Sequence, residues 1–146
     1  MNKEEWIKNV IIVSGGFDPV HVGHVRMIAE AAALGDVIVI ANSDEWLMRK
    51  KGYVFMTWEE RQEILYNFKG VVDVYKALDD DDTVCKTLAK MKPDIFGNGG
   101  DRKGDNVPEV KLCNDLGIDL VWNLGGEKIQ SSSTLVAKAK ENQDVK

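Results

Sequence analysis

Two continuous apolar, β-branched runs mark the first third of the chain, VIIVS at 10–14 and VIVIA at 37–41. A run that is apolar at every position, not at alternate ones, suits a strand buried on both faces, as in a parallel sheet. Between the runs, Val25, Ile28, Ala29 and Ala32 recur at helical spacing, and Gly35 stands where a C-terminal cap belongs. The pattern predicts a strand–helix–strand unit of about thirty residues with a right-handed crossover. The alternation then continues. Thr57 and Glu60 form a capping-box pair ahead of Ile64, Leu65 and Phe68 on one helical face, and VVDVY at 71–75 reads as a third strand. Val84, Leu88 and Met91 share a face of a helix that must end before Pro93. DIFGN at 94–98 is a short fourth strand. Pro108 and Gly117 bracket another helix, DLVWN at 119–123 is a fifth strand, and SSSTLVAKAK opens a last helix with hydroxyls at its cap. The 44–51 stretch carries no apolar period and is taken as part of a polar loop.

Five β/α alternations predict an α/β fold: a Rossmann-like, open parallel sheet of about five strands flanked by helices, in one domain over residues 1–146. The composition fits, with 44% hydrophobic and 29% charged residues. No apolar run has the length of a membrane span, and the N-terminal MNKEEWIKNV lacks the apolar core of a signal peptide. Cys85 and Cys113 lie far apart and form no C-x-x-C unit, which favours a reduced, cytoplasmic protein. A net charge of −5 argues against a nucleic-acid partner, because nonspecific binding there rests on a basic surface.

In open α/β sheets ligands bind beyond the carboxyl ends of the strands, so the residues at those ends carry the functional information. After the first strand comes GGFDPVHVGH, which holds both histidines of the chain, His21 and His24. Gly15 and Gly16 permit a tight turn and close approach to a ligand, and Gly23 removes a side chain between the imidazoles. The helix that starts there offers free N–H groups and a partial positive charge, which suit a phosphate. The spacing matches neither the P-loop nor the dinucleotide fingerprint. Zinc usually takes three or four ligands, whereas here two histidines stand without a cysteine near them in sequence. After the second strand come Asn42, Ser43 and Asp44, then Arg49, Lys50 and Lys51, a basic cluster suited to a polyphosphate or to a solvated loop. After the fourth come Asn98, Gly99, Gly100, Asp101 and Arg102, and after the fifth Ser131, Ser132, Ser133 and Thr134, more hydroxyls than one cap requires. Asp18 is available for a metal or the acceptor, although Asp-Pro also starts turns. The four tryptophans, Trp6, Trp46, Trp58 and Trp122, suit packing, with Trp46 nearest the proposed rim.

GGFDPVHVGH resembles the G-x-F-D-x-x-H-x-G-H signature of the cytidylyltransferase-like nucleotidyltransferases. SSSTLV is similar to the second, hydroxyl-rich signature of that superfamily, and the likeness runs over residues 10 to 140. The chain looks closest to the small glycerol-3-phosphate cytidylyltransferases and heptose-phosphate adenylyltransferase domains. The resemblance implies transfer of a nucleoside monophosphate from a triphosphate with Mg²⁺, releasing pyrophosphate. It makes His21, His24 and either Lys50 or Lys51 the catalytic groups. It assigns Gly15, Gly16, Phe17, Gly23, Asp101 and the hydroxyls at 131–134 to the nucleotide, and Asp18, Asp44, Arg61 and Asn98 to the acceptor. It also implies a homodimer. CTP is the expected donor with ATP as the alternative, and the acceptor is a small phosphorylated polyol or sugar. A nucleotide-binding module without turnover is the competing reading. The chain departs from the glycerol-phosphate type in two places: GGEKIQ lacks that branch's arginine, Lys128 standing near, and LDDDD at 78–82 lacks its tryptophan.

Overall fold

A computed structural model describes residues 9–99, 108–126 and 131–144. The two apolar runs form β1 (Val10–Gly15) and β2 (Asp36–Ala41), paired in parallel from Val10 opposite Asp36 to Gly15 opposite Ala41. Both are buried along nearly their whole length because each face of the sheet carries its own core. Ile11, Val13, Val37 and Val39 point to one side, where Ile28, Ala31 and Leu65 meet them. Val10, Ile12, Ile38 and Ile40 point to the other, against Val84, Leu88 and Cys113. Each such side chain, fully buried, contributes about 1.5–3 kcal/mol from its removal from water.

The remaining elements are α1 (Val22–Ala32), α2 (Asp44–Lys51), α3 (Trp58–Tyr66), β3 (Val71–Lys76), α4 (Cys85–Met91), β4 (Ile95–Gly99), α5 (Glu109–Leu116), β5 (Asp119–Leu124) and α6 (Ser132–Asp144). The five strands run parallel in the order β3-β2-β1-β4-β5. The chain therefore builds outward from β1 in one direction, then reverses to build outward in the other, which leaves a crevice beyond β1 and β4. That is the predicted doubly wound fold. No helix among the described residues is long and apolar enough to cross a membrane.

Three local expectations change. The 44–51 stretch is a helix, α2, not a loop: Ser43 caps it through Trp46 N–H, Asp44 and Glu45 fill the first turn, three cations fill the last, and Gly52 closes it at φ 82°. Only Leu47 of that helix is buried, so it has no apolar stripe to betray it. In α1 the core face is Ile28 and Ala31 with Ala32 packed beside them, while Val25, in the first turn, is 47% exposed. Gly35 is not a left-handed cap. A Cβ there would sit 2.2 Å from the Asn9 carbonyl, which accepts from Asp36 N–H as the chain enters β2.

Cys113 is buried in the second core, and burial, then the Glu109 charge, push its thiol up to about 11. The fold thus favours the protonated thiol. The stability this confers is complete below the ordinary value of 9.0 and is lost as pH rises toward 11. Urea midpoints should fall across that interval, and Cys113→Ala should flatten the fall. Parallel pH profiles for the two proteins would contradict the assignment.

Candidate active site

The turn after β1 is built around two buried charges. Phe17 adopts φ 53°, a left-handed conformation rare for an aromatic residue, and the Asp18–Pro19 peptide is cis. Asp18 is fully buried. One of its oxygens accepts from Phe55 N–H at 2.7 Å and the other from Met56 N–H. Asp18 therefore ties the β1 turn to the α2–α3 loop and has no oxygen directed to a metal or an acceptor, contrary to the expectation from its position. Arg61, on α3, is likewise fully buried. It donates to the carbonyls of Met56 at 3.1 Å and of Gly16 and Asn42 at 2.7 Å each, and to Asp44 Oδ1 at 2.9 Å. Arg61 and Asp44 were expected to hold substrate. Instead they hold each other and the ends of β1 and β2, because a buried guanidinium must have its donors satisfied.

The histidines form the first turn of α1 by themselves. His21 is the N-cap, and its Nδ1 accepts from Gly23 N–H at 3.1 Å. His24 Nδ1 accepts from His21 N–H at 3.1 Å, so the pair completes a reciprocal capping box normally made by Ser or Thr with Glu or Gln. An Nδ1 that accepts an amide proton carries none itself, which places the proton of each neutral ring on Nε2. The rings stack at 3.9 Å between centroids, and Phe17 closes on His24 at 4.7 Å. Gly23 is required in this arrangement, since a Cβ there would come within 2.9 Å of His21 Cε1. Both imidazoles line a cavity of about 370 Å³ at the carboxyl edge of the sheet.

The basic cluster divides. Lys51 lines that cavity, whereas Lys50 pairs with Asp82 at 2.9 Å and Arg49 donates to the Asp80 carbonyl at 2.6 Å. Trp46 lines the cavity too, and its Nε1–H donates to the Asp81 carbonyl at 2.9 Å. Three side chains of α2 thus clasp the acidic 80–82 loop. That loop is folded by its own Asx contacts: Asp81 accepts from Thr83, which lowers its pKa, and Asp79 caps α4 through Lys86 and Thr87 N–H.

On the opposite wall, Ser131, Ser132 and Ser133 line the cavity with Gly125 and Gly126. Ser131 Oγ caps α6 by accepting from Thr134 N–H at 3.0 Å and donates to Thr134 Oγ1 at 2.6 Å. Ser132 Oγ donates to the Pro19 carbonyl at 2.7 Å, bracing α6 against the β1 turn. Ser133 is the exposed hydroxyl of this wall, and Thr134 lies off it. Gly15, Gly16 and Phe17 also line the cavity. Asn98 does not line the cavity; it is buried in β4 and reaches the Val121 carbonyl of β5 at 3.5 Å, beside the register shift between those strands. Asp101, Gly100, Arg102 and Lys128 lie outside the described residues. The sequence reading missed Asp82, Thr83, Val84 and Glu109 as lining residues. Glu109 Oε1 accepts from Val84 N–H at 3.1 Å, and a lone glutamate in a first helical turn gives no sign of such a place. Among the described residues, no three His, Cys, Asp or Glu side chains are grouped to hold a metal ion.

The doubly wound sheet thus brings a helix mouth, two imidazoles, a lysine and a hydroxyl wall around one cavity. The cytidylyltransferase-like family model matches residues 12–139, and the chain belongs to that family. The bifunctional protein HldE of Campylobacter concisus is 38% identical over 114 residues, covering 72% of this chain and 24% of that protein. The FAD synthase of Ferroglobus placidus is 33% identical over 95 residues, covering 65% of this chain and 61% of that one. The chain thus spans about a quarter of the length of the HldE relatives it matches. Among solved structures, the lipopolysaccharide core biosynthesis protein of Thermoplasma volcanium aligns with a TM-score of 0.67 at 26% identity, over 82% of this chain and 98% of that one. A putative nicotinate-nucleotide adenylyltransferase of Vibrio parahaemolyticus shares the fold, with a TM-score of 0.61 at 16% identity over 93% of this chain and 89% of that one.

Arg61→Lys keeps the charge but not the fork that reaches three carbonyls and a carboxylate. It should lower unfolding free energy by about 3–5 kcal/mol, the usual cost of breaking a buried ionic group's partnerships, as read by urea denaturation. A loss under about 1 kcal/mol would show the residue to be peripheral.

Proposed function

We propose that this protein transfers AMP from ATP to a small phosphorylated sugar and releases pyrophosphate. The observation that carries the reading is the histidine pair: each ring accepts an amide proton at Nδ1, leaving Nε2–H as a donor on a ring that lines the cavity. CTP, the first expectation from sequence, gives way to ATP here. What supports the change is the company of relatives called HldE and FAD synthase, the second named for an adenine dinucleotide product, together with the resemblance to heptose-phosphate adenylyltransferases. The name lipopolysaccharide core biosynthesis protein supports a sugar acceptor.

The chemistry follows from the groups present. A phosphate monoester has a second pKa of about 6, so its oxygen is already ionised at neutral pH and needs no general base. That oxygen attacks the α-phosphorus, a new P–O bond forms, and the bond to the bridging oxygen of the β-phosphate breaks. The electron pair leaves with pyrophosphate, and no proton changes hands. The task left to the protein is to position the two phosphates and to stabilise the charge that develops. Neutral imidazole N–H donors serve the α-phosphate. Ser133 serves the outer phosphates, and Lys51 the phosphate of the acceptor. Mg²⁺ belongs to the substrate as its nucleotide complex, since Asp18 has both oxygens turned to backbone amides and does not fit as a metal ligand.

His21→Asn retains a good N-cap and His24→Gln retains the N3 half of a capping box, while each removes an Nε2–H. Each variant should lose on the order of 10²–10³ in kcat, with the unfolding midpoint close to that of the parent, in a pyrophosphate-release assay with ATP and sugar phosphates. Turnover like the parent's in both would remove the histidines from the mechanism. Binding of ATP without pyrophosphate release from the parent, with any acceptor, would leave a nucleotide-binding module instead. Lys51→Ala should raise KM for the sugar phosphate more than Lys50→Ala does, because Lys50 is paired with Asp82 and does not itself line the cavity. Equal effects would reverse that order.

A further inference from the structure

We infer that Trp46 is the platform on which the acceptor's ring lies, and that it selects a cyclic sugar phosphate over a linear polyol phosphate. The inference rests on the proposed transfer to a sugar phosphate and assigns a residue to that choice.

Trp46 is half-buried in the cavity wall and fixed at both ends. Its backbone N–H is held by Ser43 Oγ at 3.1 Å, and its indole N–H by the Asp81 carbonyl at 2.9 Å. Indole has a single hydrogen-bonding group, a donor. With that donor committed to Asp81, what the side chain offers a ligand is a rigid hydrocarbon surface, pre-positioned at no ordering cost. The choice of occupant follows from the sheet order. β2 and α2 lie on one side of β1, whereas β4, β5 and the hydroxyls of α6 lie on the other. In the proposed transfer the α6 hydroxyls hold the triphosphate's outer phosphates, which leaves the α2 wall to the acceptor.

That wall suits a sugar ring. One face of a pyranose is a patch of C–H groups that packs on an aromatic surface, while its hydroxyls need polar partners at the edge, where Asp82 stands. Lys51, more than one helical turn beyond Trp46, lines the same cavity and supplies the cation for a phosphate carried on that ring. A three-carbon polyol phosphate satisfies the lysine but has no ring face to lay on the indole.

The test is calorimetric titration of the purified chain with a hexopyranose 1-phosphate, glycerol 3-phosphate, inorganic phosphate and ATP. The parent should bind the cyclic ligand about tenfold more tightly than glycerol 3-phosphate. Trp46→Ala should erase that preference and leave inorganic phosphate and ATP unchanged. Trp46→Phe keeps a ring face but gives up the bond to Asp81, and should retain most of the preference. The inference is overturned by no binding of the cyclic ligand, by no preference in the parent, by an equal loss for every ligand in Trp46→Ala, or by a Phe variant that behaves as Ala does, which would make the clasp the active feature. Binding requires no turnover, so a failure of pyrophosphate release counts against the proposed function alone.

Discussion

The working edge of the sheet is positioned by one buried cation. Arg61 reaches from α3 to the carbonyl after β1, the carbonyl after β2, the carbonyl that precedes α3, and the first carboxylate of α2. An ion removed from water costs several kcal/mol unless its donors are met, so those four acceptors are held in place by the stability of the fold itself. Asp18 imposes the complementary constraint, drawing Phe55 and Met56 amides onto the β1 turn. Loops that would otherwise vary independently are locked into one frame, and the cavity residues inherit its rigidity. Ser132 extends that frame to α6 through the Pro19 carbonyl.

Within this frame the cavity is asymmetric. One side is the mouth of α1 with neutral imidazole donors and the hydroxyls of α6, suited to phosphates. The other is α2 with Lys51, Trp46 and the clasped acidic loop, where a cation, an aromatic face and carboxylates stand together. The first combination recognises charge alone, and the second recognises a charge attached to a particular kind of body. Two reactants of unlike chemistry can therefore meet over the same helix mouth without competing for the same contacts.

The strands and the doubly wound order were legible because continuous β-branched runs have few other meanings, and caps such as Thr57 and Gly117 marked where helices begin and end. The cavity wall after β1 was legible for a similar reason: glycines, a helix start and two histidines coincide in ten residues. Helix α2 was missed although Ser43, Asp44, Glu45 and Gly52 all mark it, since its capping signals carried no apolar stripe to support them. Asp18, Asp44, Arg61 and Asn98 were assigned to the acceptor from the family resemblance. Sequence contains no term for the partner that each one meets, 37 residues away for Asp18 and Phe55, and a polar residue at a strand end serves the frame as readily as the ligand.

The capping box of histidines has a consequence for how this family can drift. Each imidazole performs a structural task with one nitrogen and, in the proposed transfer, a chemical task with the other. Asparagine or glutamine can take over the first task and neither can perform the second. A lineage can thus shed catalysis by a single exchange while keeping its helix start, its cavity and its nucleotide, and selection on folding would not notice. Silent, nucleotide-holding descendants are the expected by-product of building a helix cap from the catalytic groups themselves.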